Sequence, residues 1–328
     1  MLPYFTKELT KRFINDNNLP IPLVDDANML EYYLNMYRHQ YDSKDLYFQM
    51  CKEIEENFDG DPNKFLVNYY QVRDDIINDI LDNPYYKDFI NADMKQYEIC
   101  DKLKSIQKGN VYNTENVGKY FLSIDLSKAN FQALKYFNKA IVRNSETYAD
   151  YVRSYTDSPY MLNSKYVRQV IFGKCNASRQ ITIEKYLMSV FYKEFIKSNC
   201  KSFMELVRSN NDELVFQIKD FPTALSIAEI NNVINDTIIK TGINVSSKIY
   251  KLKAICLHSE KTNHDRPWSY VLKNISNGHY ELKEVPLAFH ALTYKLYEHG
   301  CVIKQDYYFK YEGLDAYIDD VFTLKVKE

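Results

Sequence analysis

Residues 203–218 leave the chain few alternatives to a β-hairpin. Two largely apolar runs, 203–208 and 212–218, flank the polar tripeptide Ser209-Asn210-Asn211. So tight a turn joins antiparallel strands, and asparagine tolerates the left-handed backbone that short hairpin turns demand. The hairpin carries two acids, Asp212 and Glu213, at its tip. Upstream, 118–125 reads as a buried strand that also ends in a carboxylate, Asp125. Helical periodicity predicts helices over 128–142, 163–172 and 177–197, the last with Asn176 as N-cap. A helix over 223–240, closed by Gly242, and a strand over 244–255 complete the unit. Strand, helices, hairpin, helix and strand in this order predict an α+β fold with an antiparallel sheet.

The flanks differ from this core. Residues 1–115 read as mostly helical, with apolar residues at helical spacing around Met29–Tyr37 and again over 65–81. Asp61 and Pro62 open the second run as N-cap and first helical residue. Residues 256–328 read as a mixed α+β extension, with a hairpin around Asn277-Gly278 and a helix over 288–298. The expected division is therefore 1–115, 116–255 and 256–328.

Composition narrows the function. Only 8 glycines occur in 328 residues, and neither G-x-G-x-x-G nor G-x-x-x-x-G-K-[ST] is present, which excludes a phosphate-cradling glycine loop. The 30 tyrosines, with abundant Asn and Lys, form a bias common in phages and AT-rich genomes. Net charge is -2, so any contact with nucleic acid must be a local patch. The six cysteines, Cys51, Cys100, Cys175, Cys200, Cys256 and Cys301, are scattered without a C-x-x-C pair, which suits reduced thiols in an intracellular, cytoplasmic protein. Lys7 and Glu8 follow the first residues at once, and no 18-residue apolar run exists. Neither a leader nor a membrane span is expected.

A strand end and a neighbouring hairpin tip, each carrying an acid, suit nucleotidyl transfer. That chemistry uses two divalent ions about 3.5–4 Å apart, held by rigid, converging carboxylates. Magnesium takes oxygen ligands and keeps several waters, so few protein ligands suffice. Asp125 and Asp212 are the expected metal ligands, with Glu213 beside them and the backbone carbonyl of Leu126 as a further donor.

These segments resemble family A DNA polymerases. Asp212-Glu213-Leu214-Val215-Phe216-Gln217-Ile218 is similar to their motif C, in which His-Asp-Glu precedes Leu-Val-Phe-Glu-Val. Ser123-Ile124-Asp125-Leu126-Ser127, followed by Asn130, is similar to motif A, and Arg168 to Gly173 weakly resembles motif B. The likeness covers roughly 115–255. It implies a reduced and divergent polymerase palm, an antiparallel sheet with helices on one face, and a thumb-like role for the helical first third.

It further implies two Mg²⁺ (or Mn²⁺) ions and, as partners, a nucleoside triphosphate and a nucleic-acid 3′ end. Arg168, Lys165, Asn130 and Phe172 are the implied nucleotide-binding residues, and Lys174, Arg179 and Asn211 the nucleic-acid contacts. Departures are plain. Asn130 replaces the glutamate that screens the sugar 2′ position, Asn211 replaces a histidine, Arg168 replaces a lysine, and Asn176 stands where a base-stacking tyrosine belongs. The span between Asp125 and Asp212 is also far shorter than the family's fingers. The alternative is a palm-derived protein that binds nucleic acid or a protein partner without catalysis.

Overall fold

A computed structural model describes residues 2–328 apart from 23, 25, 107–109, 199–201, 221 and 312–313. The first third is helical: α1 (Lys7–Asp16), α2 (Ala27–Met36), α3 (Arg38–Tyr41), α4 (Ser43–Asn57), α5 (Pro62–Asp82), α6 (Pro84–Asn91) and α7 (Asp101–Ser105). Asp61 caps α5 by accepting the N–H groups of Asn63 and Lys64, with Pro62 first in the helix. The buried face of α5 (Phe65, Tyr69, Val72, Ile76, Ile80) joins the main core.

Strand β1 (Tyr120–Leu126) leads through α8 (Ala129–Phe137), α9 (Tyr148–Arg153), α10 (Pro159–Asn163), α11 (Lys165–Gly173) and α12 (Ala177–Phe195) to the hairpin β2 (Met204–Ser209) and β3 (Glu213–Ile218). The helix expected over 128–142 is divided, and the one expected over 163–172 begins at Lys165, for local reasons. Asn138 turns extended (φ -157°) and caps the following 3₁₀ turn, and Ser164 leaves the helical region and caps α11 through its hydroxyl. Asn176 does not cap α12 with its side chain. It sits in the left-handed region (φ 56°), where the chain turns between α11 and α12.

Helix α13 (Ala224–Thr241) begins at the Thr223 cap and ends at Gly242 (φ 68°), a conformation open to glycine without strain. Then come β4 (Val245–Ser259), β5 (His264–Asp265), β6 (Ser269–Asn274), β7 (Tyr280–Lys283), α14 (Leu287–His299), β8 (Tyr308–Tyr311), β9 (Leu314–Tyr317) and β10 (Phe322–Lys327). The turn between β6 and β7 places Gly278 at φ 74°.

The fold is α+β, and its main sheet is antiparallel. Its order is β2-β3-β1-β4-β6-β7, with β5 and β10 also paired to β4. Fifteen-residue β4 is the spine: its first half pairs with β1 and its second with β10. The boundary expected between 255 and 256 falls inside β4, so the last segment extends the same sheet.

Side chains alternate across the sheet. Leu122, Ile124 and Leu126 share one face with Leu214 and Phe216, and Phe216 meets the rings of Tyr192 and Phe195 on α12. The opposite face holds Phe121, Val215, Tyr250, Leu252 and Tyr270, covered by Val111, Tyr112 and Val117. Cys51, Cys100, Cys175, Cys256 and Cys301 are free thiols; Cys200 lies outside the described residues. No helix among the described residues is long and apolar enough to cross a membrane.

Candidate active site

The end of β1 is fixed from both sides. Asp125 lies opposite Glu213 on β3 and Ser246 on β4. The Leu126 N–H donates to the Asp212 carbonyl at 2.7 Å, which draws the hairpin tip against the strand end. Asn210 N–H donates to the Glu213 carbonyl at 2.8 Å and closes the turn. Beyond the strand, Ser127 N–H donates to Asn244 O at 3.0 Å. The Gln132 side chain accepts from Asn244 N–H at 3.0 Å and donates to the carbonyls of Asn244 and Ser127. One glutamine amide thus ties the chain leaving β1 to the chain entering β4.

Between these anchors Lys128 adopts the left-handed conformation (φ 53°, ψ 48°) just before α8. For a residue with a side chain this costs about 1–2 kcal/mol. Across the gap stands α11, capped by Ser164 Oγ on Val167 N–H at 3.0 Å. Its inner face (Val167, Ile171, Phe172) is buried, so Lys165 and Arg168, on successive turns, project from the other side. The Arg168 guanidinium lies 5.8 Å from the Tyr148 ring centroid.

The two walls enclose an open cleft of about 510 Å³ lined by Asp125, Leu126, Lys128, Asn130, Lys165, Arg168, Asp212 and Ser246, among others. Its charges are unusual. Partial burial, then the charges of Asp212 and Glu213, pushes the Asp125 carboxyl up to about 6. Burial and the Glu213 charge also raise Asp212. Mutual repulsion is expressed in Asp125, the member of the pair raised further. Beside them, burial lowers the Lys128 ammonium, and Arg168 and Lys165 lower it further. Burial likewise lowers the Arg168 guanidinium, partly offset by Tyr148 and Asp125. None of these five charged groups has a salt-bridge partner among the described residues. Two crowded anions and three crowded cations therefore line one open cleft.

A third acid lies behind them. Glu184 on α12 is 4% exposed, and its carboxylate accepts from the Asn130 amide at 3.1 Å. Burial, then the Asp212 charge, pushes it up to about 7.

Of the residues singled out in the sequence, Asp125, Asp212, Leu126, Asn130, Lys165 and Arg168 all line this cleft. Glu213 stands beside it and accepts from the Ser123 hydroxyl at 2.7 Å. Phe172 does not reach it: the ring is fully buried, 6.2 Å from Tyr148 and 6.5 Å from Phe131. Arg179 is spent on structure, because Nε donates to the Phe89 carbonyl at 2.9 Å and the guanidinium also bonds the Ala92 carbonyl. Lys174 is exposed at the end of α11, and Asn211 sits in the hairpin turn.

The sequence reading missed Lys128, Ser246 and Glu184. Only the pairing of β1 with β4 brings Ser246 to Asp125. Lys128 carried one usable signal, its place three residues after an acid-terminated strand.

The donor set suits a hard divalent cation. Two carboxylates that repel each other gain from a cation between them, and all the donors are oxygens. Among the described residues no three His, Cys, Asp or Glu side chains gather closely enough to hold a metal ion. The protein's share would be two carboxylates, with water and phosphate oxygens completing the shell. No protein-family model matches this chain, and no curated protein matches it either.

Proposed function

We infer that the chain is a metal-dependent nucleotidyltransferase of the polymerase-palm type, joining a nucleoside triphosphate to a nucleic-acid 3′ end. The observation that carries this reading is the shared cleft: Asp125 and Asp212 on one wall, Lys128, Lys165 and Arg168 around it, none of them in an ion pair among the described residues. Like charges crowded together around a cleft without ion pairs point to a ligand that compensates them. A triphosphate with its divalent ions meets both needs at once.

In this reading Asp125 and Asp212 hold two Mg²⁺ or Mn²⁺ ions. Bound there, these supply activation of the attacking oxygen and neutralisation of the leaving phosphates. Arg168 offers a planar fork to phosphate oxygens, steadied by the Tyr148 ring. Lys165, in the first turn of α11, adds its charge to the helix N-terminus. Lys128 approaches from the far wall. Glu213 fixes Ser123, and Glu184 fixes Asn130 next to the sugar position that the motif likeness implies. The sheet order, with β1 between the hairpin and β4 and helices behind one face, supports a palm.

A binding-only role is favoured by one observation: no aromatic side chain lines the cleft, so nothing there stacks a base. Incubation with a labelled primer, with and without template, with Mg²⁺ or Mn²⁺ and each set of triphosphates, separates the two. The enzyme reading expects extension that falls at least ~10³-fold in Asp125→Asn, the scale of losing a directly acting group. Extension that survives Asp125→Asn would refute the assigned site. Primer binding without extension would establish the binding-only role.

A further inference from the structure

A small pocket of about 150 Å³ opens at the second half of β4, where that strand pairs with β10. Its Ile255 lies roughly 30 Å along the strand from Ser246, at about 3.3 Å per residue, so the pocket is separate from the Asp125 cleft. It occupies a seam between two apolar clusters. Ile255 belongs to the main core, whereas Leu257 belongs to the smaller cluster that Phe289 packs against. Buried Ile255, Leu257 and Thr293 form the floor, and exposed Arg266, Pro267, Glu284 and Pro286 surround the mouth. Protein interiors hold few voids larger than a water molecule, so an apolar gap of this size is uncommon.

The mouth carries both signs of charge. The Arg266 guanidinium lies 3.8 Å from the Phe289 ring centroid, which holds it beside the opening. Among the described residues that guanidinium has no hydrogen bond and no ion pair; the neighbouring Asp265 carboxylate meets His258 and Lys325 instead, each at 2.6 Å. Glu284 stands in left-handed backbone (φ 61°), its carbonyl accepting the Ser269 hydroxyl at 3.1 Å. Backbone strain of this kind clusters at ligand sites. The Glu284 carboxylate likewise has no ion pair among the described residues, with Arg266 or any other cation. A cation and an anion left apart beside an apolar hole are complementary to a zwitterion with an apolar side chain. We propose that this pocket binds a free aromatic α-amino acid of phenylalanine size, with its ring in the hole, its carboxylate on Arg266 and its ammonium at Glu284. An apolar cavity of about 150 Å³ is large enough for benzene. Guanidinium and carboxylate meet through two parallel hydrogen bonds. A simple carboxylate would meet the like charge of Glu284, and a simple amine would leave Arg266 unused.

Titration calorimetry of the whole chain with L-phenylalanine, phenylacetate, phenethylamine and toluene tests this without recourse to catalysis. Phenylalanine should bind saturably, one per chain, and more tightly than any of the other three. Arg266→Gln should weaken it about tenfold or more, the scale of a hydrogen bond to a charged group, and leave phenethylamine unchanged. Glu284→Gln should weaken phenylalanine to a similar degree without weakening phenylacetate. Both positions are exposed, so both variants should keep the wild-type melting temperature. Three results would overturn the proposal: non-saturable heats, an analogue or toluene binding as tightly as phenylalanine, or phenylalanine binding that neither substitution weakens.

Discussion

The Asn130 amide and the Glu184 carboxylate are joined by a 3.1 Å hydrogen bond that ties α8 to α12 across the back of the cleft. Glu184 pays for this position with a carboxyl raised from 4.5 to about 7, because burial and the Asp212 charge both favour the protonated form. In the unfolded chain the same group ionises near its ordinary value. Between those two pH values the folded state holds more protons, so stability falls as pH rises. The loss amounts to ~3 kcal/mol once pH exceeds 7. Urea unfolding at pH 5 and pH 8, in wild type and in Glu184→Gln, isolates it: the wild type should lose ~3 kcal/mol more between the two pH values than the variant does. A variant with the same pH dependence as the wild type would contradict the assignment.

Lys128 combines left-handed backbone with an ammonium crowded by two other cations. Glycine accepts that conformation without cost. Lys128→Gly should therefore raise stability by about 1 kcal/mol while lowering triphosphate affinity. Thermal melts and nucleotide titration would read the two effects separately. A variant that loses stability would show that the Lys128 side chain serves packing instead of phosphate.

Phe172 belongs to the core, not to the nucleotide. Phe172→Ala should cost about 3–5 kcal/mol, since the ring is fully buried against Phe131 and Tyr148. Phe172→Leu should keep the fold and bind triphosphate as the wild type does. Loss of affinity in the leucine variant, with stability retained, would return the ring to the binding site.

What the sequence made legible was alternation and local capping. The run Leu122, Ile124, Leu126 fixes one face of β1 and so sends Asp125 to the other, whatever the tertiary fold. The Asp61 and Gly242 caps likewise depend only on neighbours. Glu184 was illegible because an acid on a helix ordinarily reads as solvent-facing, and its partner Asn130 lies 54 positions away. Phe172 misled for the converse reason: a motif likeness assigns a ring by position, while its helical spacing from Val167 and Ile171 puts it on the buried face. The boundary at 255 failed where Ile255, Cys256 and Leu257 continue one buried strand.

Lys174 and Arg179 stand close in sequence and are both cationic, yet the fold gives them different work. Arg179 satisfies the carbonyls of Phe89 and Ala92 at the end of α6, which otherwise lack helical partners. Lys174 is exposed at the end of α11, with no ion pair among the described residues. Lysine cannot reproduce a two-pronged contact, so Arg179→Lys should destabilise the protein by about 1–2 kcal/mol. If the protein binds single-stranded DNA as proposed, this variant should keep the wild-type salt dependence. Lys174→Ala should leave stability unchanged and, if that lysine meets a phosphate, reduce the slope of log affinity against log salt by about 0.7. Chemical denaturation and fluorescence anisotropy across a salt series would measure both. An unchanged slope in Lys174→Ala would remove that lysine from the nucleic-acid path, and a reduced slope in Arg179→Lys would put Arg179 back on it.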